Sequence, residues 1–132
     1  MKLKHHYFYD EIYAHHFVFI LNVTSDKQLE KILKSNYPMG HSIYKAECEK
    51  DKDLLVKNIG GGTLTNDNAT GSIIIVVDQE DESIFYSVLA HECLHAVMDV
   101  LNSRGVEYSP KKEAANEAFT YYLSYLMKKA LK

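Results

Sequence analysis

Residues 91–95 read His-Glu-Cys-Leu-His. On a helix, positions four apart lie on one face, a turn from each other. His91 and His95 can therefore present their imidazole nitrogens to a single metal ion. Glu92 projects beside the same place, where a carboxylate can take a proton from metal-bound water without being a ligand itself. Zn2+ suits this donor set, because it takes imidazole readily and keeps an open position when the protein supplies only three ligands. The plainer alternative is two histidines hydrogen-bonded in a core, with Glu92 in solvent. Against it stand Leu89, Ala90, Cys93, Leu94, Val97 and Leu101, expected around the opposite side of the same helix. Cys93 falls on that side, where a small buried hydrophobe is its expected role.

A catalytic zinc needs a third ligand, and the C-terminal stretch offers two. Glu117 lies 22 positions after His95, room enough for a turn at Gly105 and an antiparallel return. His95 is about ten residues before Gly105 and Glu117 about eight after Ser109, so at about 1.5 Å per residue the two come level. Glu113 sits one turn earlier on the same face and is the other candidate. A lone glutamate is ordinarily a solvated helix residue, but Ala114, Ala115, Ala118 and Phe119 make this face read as packed.

The elements that must position these groups divide the chain in two. In residues 83–131, Asp81 or Ser83 caps a helix to about Arg104, and Gly105 falls where a left-handed C-terminal cap belongs. Ser109-Pro110 starts a last helix, with a capping hydroxyl followed by proline in the first turn, which runs to about Leu131. Residues 5–79 read as strands with one short helix. Tyr7–Tyr13 and Phe17–Val23 are aromatic and β-branched, with Asp10-Glu11 as a candidate hairpin turn. Thr24, Ser25 or Asp26 caps a helix to about Lys34 that carries Leu29, Ile32 and Leu33 on one face. Ser35–Lys57 is weakly patterned, with Pro38 and Gly40 as breakers, and reads as loop with one strand near Ile43. Gly60-Gly61-Gly62 reads as a flexible loop and Asn66-Asp67-Asn68 as a turn. Ser72–Asp78 is the clearest strand, and its unbroken β-branched run implies burial on both faces. The fold class is α+β: a small twisted sheet packed on the helix of residues 83–104, completed by the helix of residues 110–131.

Length and charge narrow the classes further. At 132 residues and 15.1 kDa the chain fits one domain, residues 1–132, large enough to bury about two thirds of its unfolded surface. A net charge of −3 argues against nucleic acid as a partner, since Lys2 and Lys4 make no basic face. The apolar run Phe17–Leu21 is far short of a membrane span, and no signal-peptide pattern flanks it, so no membrane partner is expected. With two cysteines, Cys48 and Cys93, a reduced, soluble, cytoplasmic setting is the simplest expectation. Of the paired histidines 5–6 and 15–16, only one of each pair can reach a given face of a strand. His6 with His15 across a hairpin is the one second metal site they allow.

The segment His-Glu-Cys-Leu-His-Ala-Val, followed by Asn-Glu-Ala-Phe-Thr-Tyr-Tyr-Leu, resembles the zinc site of the gluzincin metallopeptidases, the thermolysin-like group. Their pattern is HExxH with a downstream Glu, often within Asn-Glu-Ala. The resemblance covers about 30 residues. In its compact size the chain also resembles the minigluzincins and small phage-encoded metallopeptidases. It implies a zincin-like domain in which His91, His95 and Glu117 are zinc ligands, Glu92 is the catalytic base and Asn116 supports the site. It favours Glu117 over Glu113, because Asn116-Glu117-Ala118 carries the local pattern. Where that group usually has an Asp four residues after the ligand Glu, orienting a zinc-bound histidine, this chain has Tyr121. A backbone carbonyl then takes that role or the site is weaker.

The expected activity is that of a zinc-dependent metalloendopeptidase, hydrolysing a peptide or protein substrate through a zinc-bound water activated by Glu92. Tyr108, Tyr121, Tyr122, Tyr125 and His41 are the candidates by type for the extra donor to the tetrahedral intermediate. Zincin families lay an extended substrate on an edge strand, and Ser72–Asp78 is the strand the resemblance nominates, although its apolar run suits a central position. The alternatives are a non-catalytic zinc-binding module with a binding or regulatory role, and a small regulator or toxin-like factor that cleaves one partner.

Overall fold

The computed structural model describes residues 1–50, 60–109, 111 and 113–132. The first elements are strands β1 (Lys4–Asp10) and β2 (His15–Val23), followed by helices α1 (Asp26–Asn36) and α2 (Pro38–Lys50). Strands β3 (Gly61–Thr65) and β4 (Gly71–Val77) come next, then helices α3 (Glu82–Ser103) and α4 (Glu113–Ala130). The strands form one mixed sheet in the order β1-β2-β4-β3. β2 and β4 are parallel at its centre, and β1 and β3 pair antiparallel on either side. The α+β class expected from the sequence is therefore present, with four helices rather than three among the described residues.

Alternation along the strands separates two cores. Phe17, Phe19 and Leu21 of β2 with Ile74 and Val76 of β4 point to α3 and α4, against Leu89, Val97, Leu101, Phe119 and Leu126. Val18, Ile20, Ile73 and Ile75 point the other way, onto Leu29 and Leu33 of α1 and Ile43 and Tyr44 of α2. Both central strands are buried on both faces, as the β-branched run of β4 implies. By length and composition α3 would reach across a membrane, but eight of its residues are buried here, all but Glu92 in the core against the sheet and α4.

Local chemistry fixes the ends of the helices. Ser25 Oγ accepts the Gln28 N–H and caps α1, and Asp81 caps α3 by accepting from Ser83. α3 ends in a Schellman motif: Val106 N–H donates to the Leu101 carbonyl, Gly105 N–H donates to that of Asn102, and Gly105 has φ +79°. At the β1–β2 turn the buried Asp10 carboxylate accepts from Ile12 N–H (3.0 Å) and Tyr13 N–H (3.3 Å), so Asp10 ends the strand and organises the turn that follows it.

Two expectations are corrected. Residues 38–50 are helix, not loop with a strand near Ile43. Pro38 opens α2 instead of breaking structure, after a Tyr37 that lies outside the helical region (φ −136°, ψ 80°), as a proline requires of the residue before it. Gly40 permits close packing there, since a Cβ would lie 3.1 Å from Leu33. Gly61 and Gly62 belong to β3 rather than to a flexible loop. α4 is described as helix from Glu113, and the expected Pro110 start lies outside the described residues, as do residues 51–57 of the expected loop.

Candidate metal centre

His91, Glu92 and His95 lie at mid-length in α3, and the ligand atoms they offer all fall within 4.8 Å of one another. The two imidazoles are exposed on the outer side of the helix, with Nε2 atoms 3.1 Å apart and ring planes at 77°. Two nitrogens at about 2.05 Å from a tetrahedral ion would stand about 3.3 Å apart. The pair therefore fits a single ion with little adjustment, and among the described residues this is the group that can hold one.

Glu92 faces the other way. It is only 7% exposed and points at β3, where the one Thr63 hydroxyl proton is shared between its backbone carbonyl (2.8 Å) and its Oε1 (3.0 Å). Alternation along β3 directs Gly61, Thr63 and Thr65 to α3. Gly61 lies against Val88 and Glu92, Thr63 against Glu92, and Thr65 donates to Asp99 (2.8 Å). Beyond Thr63, an open polar cleft of about 430 Å³ is lined by Thr65, Asn66, Asp99, Asn102 and Glu47. Cys93 is fully buried, and burial followed by the nearby Glu92 charge pushes its thiol up to about 12. It is an inert core residue, as expected.

The sheet places β4 centrally and β3 at the edge next to α3, so β3 is the edge strand beside the site and Ser72–Asp78 is not. β3 was illegible because Gly60-Gly61-Gly62 hides the alternation that begins at Thr63. Leu94, expected on the buried side of the helix, is 41% exposed, as is Met98 one turn on at 39%. Both stand beside His95.

The remaining candidates are placed as follows. Glu117 is exposed on α4, which packs along α3, and is not a member of the His91–Glu92–His95 group. The side chain of Glu113 lies outside the described ones. Asn116 Oδ1 accepts the Ser109 N–H (3.2 Å), tying the start of α4 to the loop before it. Tyr122 is buried and donates to Asp10 (2.5 Å), with the Tyr125 ring stacked on it. Tyr108 packs edge-on to Phe119, and Tyr121 is 70% exposed. His41 sits on α2 near Glu30 (3.8 Å), among the helices on the far face of the sheet. His6 and His15 do not meet. His6 pairs with Phe19 and bonds the Lys129 carbonyl, while His15 pairs with Asp10 and is buried. The His15 Nδ1–H donates to the Ala69 carbonyl (3.0 Å), and its Nε2 is 2.8 Å from Ser72 Oγ. With both nitrogens engaged, it is a core histidine.

No protein-family model, curated protein or solved structure matches this chain.

Proposed function

We propose that the protein is a zinc-dependent metallopeptidase of the gluzincin kind, a single zincin-like domain working in the cytoplasm on a peptide or protein substrate. The observation that carries this reading is the division of labour within five residues. His91 and His95 turn outward with their Nε2 atoms 3.1 Å apart, while Glu92 is buried and hydrogen-bonded beside them. Glu117, one helix away on α4, is the proposed third ligand.

A divalent ion held by these residues would act as a Lewis acid on a carbonyl and acidify water. The chain's own part is proton movement and alignment. Glu92 Oε2, the oxygen that Thr63 does not engage, takes the proton from the attacking water and returns it to the leaving nitrogen. Among the described residues β3 pairs only with β4, and its outer edge offers main-chain groups to an extended peptide by strand addition, alongside the helix that carries all three residues. Leu94 and Met98 give the rim an apolar portion for a substrate side chain.

Glu92→Gln tests the reading. It keeps the shape and the Thr63 bond but cannot move the proton, so zinc binding should persist while cleavage of a peptide library is lost. A chain that only binds metal or a partner would be unaffected in its binding.

A further inference from the structure

A carboxylate so close to two metal-binding imidazoles has two possible fates. Zinc accepts Asp and Glu oxygens at about 2.0–2.2 Å as readily as imidazole. One ligand atom from each of His91, Glu92 and His95 lies within 4.8 Å of the other two, so a modest side-chain rotation would make Glu92 a ligand. As a ligand it could no longer serve as a free base.

Two contacts oppose that rotation. The single Thr63 hydroxyl proton is shared between the Glu92 carbonyl (2.8 Å) and Glu92 Oε1 (3.0 Å). As a three-centre contact it ties the hydroxyl to the helix backbone and to the carboxylate together, which holds the carboxylate at a set angle. A hydrogen bond to an ionised acceptor is about twice as strong as a neutral one. Gly61 provides the second contact: a Cβ built there would be 3.2 Å from Glu92 Cγ, so the stem of the side chain packs against the β3 backbone.

We infer that Thr63 is a positioning residue that keeps the Glu92 carboxylate off the metal ion. The inference rests on the metal reading of His91 and His95. Edge strand β3 thereby both borders the site and sets the role of its acid.

The test uses Co2+ as the probe, titrated into wild type, Thr63→Val and Thr63→Ser, with the visible bands reporting the ligand set. Thr63→Val keeps the shape without the hydroxyl, and Thr63→Ala does the same if valine packs badly. Loss of the hydroxyl should change the cobalt bands and tighten Co2+ binding by on the order of tenfold, the scale of one lost hydrogen bond to a charged group. Thr63→Ser should restore the wild-type bands, and adding Glu92→Gln to Thr63→Val should abolish the change. Bands and affinity identical in wild type, Thr63→Val and Thr63→Ala would overturn the role of Thr63 and leave the metal centre standing. Absence of cobalt bands in wild type would overturn the metal centre itself, and this role with it.

Discussion

Gly61 lies so close to Ile75 of the neighbouring strand that a Cβ built on it would stand 2.6 Å from the Ile75 carbonyl oxygen, with Val88 of α3 2.8 Å away on another side. The edge strand reaches α3 only because this residue has no side chain. Gly61→Ala should push β3 off α3 and cost about 1–3 kcal/mol, the range for forcing an extra carbon into a packed site. At Gly60 the nearest atom to such a Cβ is 3.5 Å away, an ordinary contact. Gly60→Ala should therefore stay within about 0.5 kcal/mol of wild type. Urea melts of the two variants measure this, and equal midpoints would contradict it.

Tyr122 of α4 donates to the buried Asp10 carboxylate at 2.5 Å, and Asp10 also accepts the turn amides of residues 12 and 13. One carboxylate thus joins the first hairpin to the last helix. Burial, then the bond to Asp10, pushes the Tyr122 hydroxyl well above the usual tyrosine range, so it stays protonated and donating. Tyr122→Phe leaves the carboxylate short of a donor and should cost about 1.5–3 kcal/mol, read as a lowered Tm. An unchanged Tm would contradict it.

His15 gives the fold a pH dependence. Burial is the main cause that holds its imidazole down at about 4, against an ordinary 6.5. Between those values the unfolded chain takes up a proton that the folded chain refuses. Stability is therefore full above about pH 6.5, falls as pH drops through the window, and levels off below about 4. The total loss is roughly 2–4 kcal/mol at about 1.4 kcal/mol per tenfold. Denaturation midpoints across that window should slope in wild type and flatten in His15→Gln. Parallel slopes would show that His15 is not responsible.

How much of this was legible in the sequence depended on how strongly each segment is patterned. Ser25, Asp81 and Gly105 bound α1 and α3 as their chemistry requires, and the run from Ser72 to Val77 is the buried strand its branched residues imply. α2 was hidden because few of its residues enter the core and its proline sits in the first turn, where it starts a helix. β3 was hidden because its glycines answer to a contact made 27 to 31 residues away, at Val88 and Glu92, which no local pattern encodes. Of the site, the imidazoles follow from their spacing of four. The Thr63 bond to Glu92 does not, since it depends on sheet order.

The two acids should separate under substitution. Glu92→Gln should leave zinc affinity within a few fold of wild type, because the proposed base is not a ligand. Glu117→Gln should weaken zinc binding by at least about tenfold, or about 1.4 kcal/mol, because it removes the proposed third ligand. Competition titrations with a chromophoric chelator measure both. The reverse pattern, loss with Glu92→Gln and none with Glu117→Gln, would make Glu92 the third ligand and remove the base from the proposed reaction.

The central claim is that His91 and His95 jointly hold one ion. The most direct test is the metal content of untagged protein by plasma mass spectrometry, beside His95→Ala to discount binding by the other five histidines. One zinc per chain in wild type and none in the variant is the predicted result. No zinc in wild type, or zinc that survives in His95→Ala, would contradict it.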